Sequence, residues 1–224
     1  MSRALLVIDM QRDFCEAGGY AAACGLDIAL LRQPIEPIAR LIAAARERGI
    51  AVIYTREGHR PDLADCHPAK RARSAACGAG IGARGALGRF LVRGEPGHEV
   101  VPELAPAAGD RVVDKPGYGA FYQTDLELLL RVRATTHLYV TGVTTDICVH
   151  STLREAVDRG YECVTVANAC AAADASIHAA ALGLIEGPEG PILGRVRDTA
   201  TVLAEWGDSQ PSAALNNANQ GALS

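Results

Sequence analysis

A cysteine at the junction of a strand and a helix is the residue of this chain best suited to nucleophilic chemistry. Cys148 lies in the segment 142–149 and follows the apolar run 137–141, which is typical of a buried strand. At such a junction, backbone N–H groups and the helix dipole favour negative charge. The sequence therefore predicts a thiolate nucleophile at Cys148, a group that can attack a carbonyl carbon.

Two charged residues are predicted at comparable positions. Asp9 ends one apolar strand and Lys115 ends another. Ligands of an open parallel sheet bind outside the carboxyl ends of its strands, so both side chains are expected beside Cys148. Alone, each residue has an ordinary explanation: a turn cap for the aspartate, a solvated lysine, a small core side chain for the cysteine. Their joint placement indicates a catalytic centre with an acid, a base and a thiol.

Lysine is rare in this chain, because only Lys70 and Lys115 are lysines among the 22 basic residues. A lysine kept at a strand end is expected to be needed as lysine, since a compact ammonium fits beside a thiolate where a planar guanidinium does not. The short basic cluster 70–73 is interpreted differently, as a solvated loop.

The order of apolar and amphipathic segments predicts the fold class. Strands alternate with helical patterns, which is typical of a parallel sheet covered on both faces. We expect an α/β fold of three layers, α/β/α, with a Rossmann-like, doubly wound, mainly parallel sheet of six strands. The strands are predicted over about 4–9, 50–55, 111–114, 137–141, 162–166 and 195–197, and the main helices over about 34–48, 124–133, 149–160, 175–184 and 199–206.

The remaining segments are a long glycine-rich region and a tail. Residues 56–110 are predicted to be irregular, and loops of this length inside a domain are usually lids or interfaces. Residues 1–207 are expected to form a single domain, and residues 208–224 are expected to be a polar tail that is either frayed or docked on a neighbouring subunit.

Composition and charge argue against several classes of protein. A hydrophobic fraction of 49% and a net charge of -4 indicate a globular chain without a nucleic-acid surface. No stretch is long and apolar enough to span a membrane, and the amino terminus leads directly into a predicted strand rather than a signal peptide. Seven cysteines without a Cys-x-x-Cys pair argue against disulfides and zinc fingers. We therefore expect a cytoplasmic protein with no nucleic-acid or membrane partner.

Three segments resemble, in the right order, the motifs of the isochorismatase-like cysteine hydrolases. Residues 7–14 contain Asp9, residues 114–121 contain Lys115, and residues 142–149 contain Cys148. The resemblance covers almost the whole chain. It implies that Cys148 is the nucleophile, that Asp9 is the general base, and that Lys115 lowers the pKa of the thiol and orients the pair.

The resemblance also implies an unusual backbone beside the nucleophile. The peptide bond between Val143 and Thr144 is expected to be cis, and the N–H groups of Thr144 and Cys148 are expected to form an oxyanion hole. Nucleophilic attack would give a thioester, which water then hydrolyses. The resemblance implies no cofactor.

A histidine base and a metal centre are weaker alternatives. None of the six histidines has a sequence reason to pair with Cys148. Nicotinamidases of this superfamily carry an Asp-x-His metal motif after the second strand, whereas residues 55–59 read Thr-Arg-Glu-Gly-His here. Cys66 and His67 are adjacent, which is not a spacing suited to two ligands of one metal ion. We expect no metal, and the departure counts against nicotinamidase activity.

Other segments resemble the biuret hydrolase branch of the superfamily. They are residues 56–65, 91–98 and 115–122. The likeness implies cleavage of a C–N bond in a small linear ureide, of the biuret or triuret type, with release of ammonia. Biuret hydrolases have a substrate-binding glutamine before the last strand, and Glu189 stands at that place. Because a glutamate cannot donate an amide N–H, substrate choice is expected to differ.

Further substrate contacts are predicted from residue type. Phe14, Phe121 and Tyr122 would give the pocket a flat aromatic wall, although each is equally explained as a core residue. Arg56 would bind a polar end of the substrate, although a surface salt bridge explains it as well or better.

Three alternatives to a biuret or triuret hydrolase remain open. The first is another small-amide hydrolase of the superfamily, of the N-carbamoyl amino acid or ureidoacrylate type. The second is an isochorismatase-type vinyl-ether hydrolase, a group in which some members lack the cysteine. The third, a non-catalytic binding protein, is disfavoured by the intact Asp9, Lys115 and Cys148. Only a small-molecule substrate is expected as ligand, and the chain is expected to form a homo-oligomer, a dimer or a tetramer.

Overall fold

The computed structural model describes residues 2–208 of the chain, and these residues contain eight strands. The strands are β1 (Ser2–Ile8), β2 (Ala51–Glu57), β3 (Arg84–Gly85), β4 (Gly88–Arg89), β5 (Arg111–Lys115), β6 (Thr135–Val143), β7 (Glu162–Ala171) and β8 (Arg195–Arg197). Strands β3 and β4 form a small antiparallel hairpin. The other six form one sheet, in the order β5-β2-β1-β6-β7-β8.

Nine α-helices surround this sheet within the same residues. They are α1 (Arg12–Cys15), α2 (Tyr20–Ala23), α3 (Ile28–Arg32), α4 (Ile35–Glu47), α5 (Pro68–Ala76), α6 (Leu126–Val132), α7 (His150–Asp158), α8 (Ala175–Ile185) and α9 (Thr199–Asp208). Short 3-10 helices cover Pro96–His98 and Pro102–Leu104, and a π-helical turn covers Thr145–Val149. None of these helices is long and apolar enough to cross a membrane.

All neighbouring strands of the main sheet run parallel, so the predicted α/β class is confirmed and the sheet is parallel throughout. The chain first builds one half of the sheet through β1, β2 and β5, then returns to the centre with β6 and builds the other half. The strand order therefore reverses between β1 and β6. In open α/β sheets this switch point opens a crevice at the carboxyl ends of the strands.

Two hydrophobic clusters cover the two faces of the sheet. The alternation of side chains along β1 sends Leu5 and Val7 to one face and Leu6 and Ile8 to the other. Helices α4 and α9 pack on the first face, and helices α6, α7 and α8 pack on the second. With both faces covered, β1 has no solvent-exposed side, which explains why its sequence is apolar almost throughout.

The structure differs most from the sequence prediction in the segments that carry little periodicity. Residues 56–110, expected to be irregular, contain helix α5, the β3–β4 hairpin and two 3-10 helices. The end of β2 also lies further along the chain than expected, because Arg56 and Glu57 pair with β5. Helices α1 to α3 were not expected, since each spans only four or five residues. The predicted tail lies outside the described residues beyond Asp208, and the single domain stays a prediction.

Candidate active site

The turn that contains Cys148 connects β6 to α7. Cys148 lies in the π-helical turn Thr145–Val149, where the N–H groups of Ile147 and Val149 both donate to the carbonyl oxygen of Thr144, at 3.2 and 3.1 Å. The peptide bond between Val143 and Thr144 is cis. The side chain of Cys148 is almost fully buried, with 5% exposed. The turn therefore places the thiol inside the crevice at the switch point.

Gly142 is required where this turn leaves β6. Its φ is +111°, a conformation that favours glycine. A Cβ atom at this position would lie 2.0 Å from the carbonyl oxygen of Ile8, because β1 and β6 are neighbours here. The close approach of the two strands brings the turn with Cys148 next to the end of β1, where Asp9 follows.

Gly142→Ala is expected to destabilise the protein by about 3–5 kcal/mol, because the methyl group meets backbone that cannot move aside. Gly160→Ala is the matched control, since Gly160 has φ +84° but no atom lies within 4 Å of the place that its methyl group would occupy. We expect it to cost about 1 kcal/mol. Chemical denaturation of the two variants measures the difference. Equal losses would contradict the steric role of Gly142.

Asp9 and Lys115 form a fully buried ion pair. Lys115 Nζ lies 2.7 Å from Asp9 Oδ2, and both side chains are 0% exposed. The ammonium also donates to the carbonyl oxygens of Gly117 and Tyr118, each at 3.0 Å. The hydroxyl of Thr55 donates to Asp9 Oδ1 at 2.6 Å. Asp9 itself has φ 51°, a conformation uncommon outside glycine and found often at functional sites.

Glu57 completes the constellation, and sequence reasoning missed it. Its Oε2 atom lies 3.4 Å from Cys148 Sγ and 3.7 Å from Lys115 Nζ. The side chain of Gln11 fixes the backbone of Glu57, because Gln11 Oε1 accepts a hydrogen bond from Glu57 N at 2.7 Å. Glu57 is the last residue of β2 and is in register with Lys115. Extending the predicted second strand by two residues would have brought Glu57 to the same sheet edge.

Lys70 also belongs to the site, so its interpretation as part of a solvated loop was wrong. It lies on α5 with 7% of its surface exposed, and its Nζ is 2.5 Å from Glu57 Oε1. The same ammonium donates to the carbonyl oxygen of Pro116 at 2.7 Å. Both lysines of the chain therefore lie at this one site. The rarity of lysine was the signal that could have identified Lys70 as it identified Lys115.

Burial and charge shift the ionisable groups of the site in different directions. Burial raises the pKa of Cys148 well above its ordinary value, an effect that Lys115 only partly offsets. Burial also raises the pKa of Asp9 against the opposing effect of Lys115. For Glu57, burial acts upward, but Lys115 and Lys70 outweigh it, so its pKa is lowered. The raised pKa keeps the proton on the thiol of the free site, and Sγ–H donates to an ionised Glu57.

Two carboxylates with opposite shifts can divide the chemical work between them. Asp9, with its raised pKa, can accept and return a proton, whereas Glu57 stays ionised. Lys115 remains an ammonium: burial acts to lower its pKa, but the neighbouring Asp9, Cys148 and Glu57 outweigh burial and raise it. The oxygen and sulphur atoms of Asp9, Glu57 and Cys148 lie within 4.8 Å of one another, close enough to share a metal ion. The Lys115 ammonium is a cation that the two carboxylates share, and Glu57 has a second cation in Lys70.

Several predicted substrate contacts are engaged elsewhere. Arg56 Nε lies 2.8 Å from Asp114 Oδ1, and its Nη1 lies 2.8 Å from Glu99 Oε2, so its charge is already neutralised. Phe121 packs in the core, with its ring 5.9 Å from that of Tyr161 and under the guanidinium of Arg159.

The other three predicted contacts differ in their exposure and in what they pack against. Tyr122 is largely exposed and lies over Gly117. Phe14 is half-buried against the core, edge-on to Tyr20 at 6.1 Å. Glu189 is exposed in the connection from α8 to β8. That connection reaches the amino end of β7, because Gly194 is packed on the carbonyl oxygen of Cys163. Glu189 thus lies at the opposite edge of the sheet from Cys148, and the structure does not bring it to the site.

The histidines contact the surroundings of the site rather than the thiol. His178 Nδ1 lies 2.7 Å from the hydroxyl of Thr145 in the nucleophile turn. His59 and His98 are fully buried, with their nearest carboxylates at 3.3 Å in Asp65 and 3.6 Å in Asp114. None of the three is hydrogen-bonded to Cys148, which agrees with the sequence interpretation.

The burial of His98 predicts a loss of stability in mild acid. Burial, with a smaller contribution from Arg56, lowers the pKa of His98 from 6.5 to about 4. Between these pH values His98 is protonated in the unfolded chain but neutral in the folded protein. The free energy of unfolding therefore falls by about 3 kcal/mol as the pH drops from about 6.5 towards 4. His98→Gln is expected to flatten this fall in urea denaturation at stepped pH. An unchanged slope, equal to that of the exposed control His67→Gln, would contradict the assignment.

The chain matches the model of the isochorismatase domain over residues 3–201. A ureidoacrylate amidohydrolase RutB from Variovorax paradoxus (strain S110) is 35% identical over 175 residues, which cover 74% of this chain and 67% of the relative. A crystal structure of a cysteine hydrolase from Pseudomonas syringae pv. phaseolicola 1448A superposes with a TM-score of 0.78 and 30% identity, covering 92% of each chain. An N-carbamoylsarcosine amidase from Thermoplasma acidophilum has a TM-score of 0.68 and 26% identity, covering 89% of this chain and 97% of its own.

The chain belongs to the isochorismatase family. Within that family it is a cysteine amidohydrolase, an enzyme that acts on non-peptide C–N bonds. The superfamily inferred from the three motifs is confirmed. The narrower likeness to biuret and triuret hydrolases is not what these relatives support, since the curated relative is a ureidoacrylate amidohydrolase.

Proposed function

We propose that this enzyme uses the thiol of Cys148 to hydrolyse the carbamoyl group of a small ureido compound, of the ureidoacrylate or N-carbamoyl type. The observation that carries the proposal is the buried set of Asp9, Lys115 and Glu57 around that thiol. The contacts from Lys115 to Asp9, from Lys115 to Glu57 and from Glu57 to the thiol are all shorter than 4 Å. The named relatives support the same class of substrate, because ureidoacrylate and N-carbamoylsarcosine both carry a carbamoyl group on nitrogen.

In the first step Asp9 accepts the proton of Cys148 as the sulphur attacks the carbonyl carbon. The raised pKa of Asp9 suits this role, because a base must hold the proton before returning it. The Lys115 ammonium lies against Asp9, and its charge acts to lower the pKa of the thiol, so it would stabilise the developing thiolate. The negative oxygen of the tetrahedral intermediate would be bound by the N–H groups of Thr144 and Cys148, the proposed oxyanion hole.

In the second step the C–N bond breaks and Asp9 donates its proton to the leaving nitrogen. Water then attacks the carbonyl carbon of the S-carbamoyl intermediate, with Asp9 again as the base, and Cys148 regains its proton. Glu57 remains ionised through the cycle and accepts a hydrogen bond first from the thiol and then from an N–H of the substrate. A carbamoyl group supplies such an N–H beside the attacked carbon, whereas an ester does not.

Charge balance supports a second candidate, a neutral linear ureide such as biuret or triuret. Lys70 and Lys115 are paired with Glu57 and Asp9. Arg56, the predicted contact for a polar end, is paired with Asp114. These three cations are thus committed to protein carboxylates, which favours a substrate without a carboxylate of its own.

Ammonia release from a panel of purified substrates tests the proposal. The panel comprises ureidoacrylate, N-carbamoylglycine, biuret, triuret and nicotinamide, with Cys148→Ser as the control enzyme. Isochorismate, which contains no nitrogen, is assayed beside them by release of pyruvate. Ammonia reports cleavage on either side of a terminal carbamoyl carbon, because a carbamic acid product also decomposes to ammonia and carbon dioxide.

Cys148-dependent turnover of ureidoacrylate or N-carbamoylglycine is the expected result, and turnover restricted to biuret and triuret would select the second candidate. Turnover of isochorismate or nicotinamide alone would overturn both. So would failure to turn over any ureide by an enzyme whose Cys148 still reacts with iodoacetamide.

We also propose that helix α8 lies in an interface between two copies of the chain. The helix contains no charged residue, yet Ile177 and Leu184 are 46% and 65% exposed. Burying such side chains contributes about 1.5–3 kcal/mol each. Light scattering is expected to give at least twice the mass of 23.5 kDa, and Leu184→Glu to reduce it. Leu128→Glu, at an equally exposed site on α6, is the control, and a monomeric wild type would refute the interface.

A further inference from the structure

We propose that Lys70 is a positioning residue of the catalytic centre, which holds the ionised carboxylate of Glu57 against the thiol of Cys148. The inference rests on the proposed function, because it assigns Lys70 a part in preparing the same nucleophile. Lys70 would act on the nucleophile through Glu57, and we assign it no contact with the substrate.

The two oxygens of Glu57 are divided between Lys70 and the reacting groups. Lys70 Nζ lies 2.5 Å from Oε1, whereas Oε2 faces Cys148 Sγ at 3.4 Å and Lys115 Nζ at 3.7 Å. The carboxylate is 4% exposed, so water cannot supply the missing half of its hydrogen bonding. Fixing one oxygen on Lys70 leaves the other oxygen free to accept a hydrogen bond from the thiol along a defined direction.

Lys70 also braces the loop that carries the partners of Lys115. Its ammonium donates to the carbonyl oxygen of Pro116 at 2.7 Å and lies 5.0 Å from the centre of the Tyr118 ring. Lys115 donates to the next two carbonyl oxygens, of Gly117 and Tyr118. The two lysines therefore hold one loop from two sides, and helix α5 becomes part of the site although it lies in a segment predicted to be irregular.

Removing the charge of Lys70 would leave two buried carboxylates with one ammonium. The ionisable groups that face Glu57 are Lys70 from α5, Lys115 from β5, Asp9 after β1, Cys148 in the π-helical turn, and His59 and Cys66 beyond β2. Lys70 and Lys115 are the only permanent cations among them. Without Lys70, Glu57 is expected to take up a proton near neutral pH, as buried carboxylates do when unpaired. A protonated Glu57 donates a hydrogen bond and no longer accepts one from the thiol.

Three variants test this inference. Lys70→Met removes the charge at similar length, Lys70→Arg keeps the charge, and Arg73→Met is the matched control on the exposed part of the same helix. Infrared difference spectra in titrations record the carbonyl stretch of a protonated carboxyl, and Glu57→Gln/Lys70→Met assigns that band to Glu57. The pH profile of kcat/KM is measured on the substrate that the panel identifies.

Lys70→Met is expected to show the protonated Glu57 band at pH 7, and its kcat/KM to fall about tenfold or more there and to recover as the pH rises. Lys70→Arg is expected to lack the band and to retain more activity, and Arg73→Met to match the wild type. A Lys70→Met enzyme that is less stable but has no such band and an unshifted acid limb would overturn the proposal, because a merely structural lysine gives that result.

The spectroscopic measurement needs no substrate, so it separates this inference from the proposed function. A Glu57 band in Lys70→Met together with no turnover of any ureide would support Lys70 and reject the substrate. If Lys70→Met does not fold, the folding of the double variant Glu57→Gln/Lys70→Met tests the inference instead. A folded Glu57→Gln/Lys70→Met protein would show that the unpaired Glu57 was the defect, whereas an unfolded one would show that Lys70 acts independently of Glu57 and would overturn the inference.

Discussion

Cys148→Ser is expected to abolish turnover while the protein keeps its fold. Sulphur and oxygen differ little in size at this position, and the side chain is only 5% exposed in a turn held by backbone hydrogen bonds. A serine hydroxyl has a much higher pKa than a thiol, and in the proposed mechanism Asp9 and Lys115 activate a thiol. We expect kcat/KM to fall by about 10³-fold or more, which corresponds to about 4 kcal/mol of transition-state stabilisation.

The matched control for this substitution is Cys170→Ser. Cys170 is equally buried, on β7, and its thiol faces the carbonyl oxygen of Val140 rather than a carboxylate. Circular dichroism and thermal denaturation check that both variants fold, and steady-state kinetics measure the loss. Turnover retained by Cys148→Ser, or lost equally in Cys170→Ser, would contradict the assignment of the nucleophile.

Lys115→Met is expected to be the most destabilising substitution in the site. It would leave Asp9, with no exposed surface, and Glu57 with one ammonium between them, that of Lys70. It would also remove the donor to the carbonyl oxygens of Gly117 and Tyr118. Breaking a buried ion pair from one side costs about 3–5 kcal/mol, because the remaining charge is uncompensated. We therefore expect a large loss in urea denaturation together with complete loss of activity.

A double variant separates the charge from the rest of the side chain. Asp9→Asn/Lys115→Met removes both members of the ion pair, and we expect it to recover most of the lost stability without any activity. Failure of the second substitution to recover stability would show that the carbonyl contacts, not the unpaired Asp9, account for the effect. Wild-type activity in Lys115→Met would remove the lysine from the proposed mechanism.

The sequence was sufficient to predict the sheet and three of the five charged or reactive groups at its edge. Asp9, Lys115 and Cys148 each follow an apolar run that can be recognised locally, and parallel strands bring such ends together. The reversal of strand order between β1 and β6 then places the site. These inferences need only local patterns and the general topology of α/β sheets.

Glu57 and Lys70 could not be placed in the same way, because their positions depend on contacts between distant segments. Glu57 continues a strand only because β5 pairs with it, and Lys70 turns inward only because α5 packs over the loop after β5. The predicted substrate contacts stay predictions, and the surroundings of two of them could not be predicted for a related reason. Phe121 finds an aromatic partner in Tyr161 that local sequence does not show, and Glu189 follows a helix that runs back to the far edge of the sheet.

The burial of both lysines gives this enzyme an unusual spectroscopic property. Since Lys70 and Lys115 are the only lysines of the sequence, isotope labelling of lysine alone places every labelled side chain in the candidate active site. An NMR spectrum of such a sample would contain two ammonium resonances, one beside Asp9 and one beside Glu57. Their response to pH or to a bound inhibitor would report the electrostatics of the site directly, without a background of surface amines.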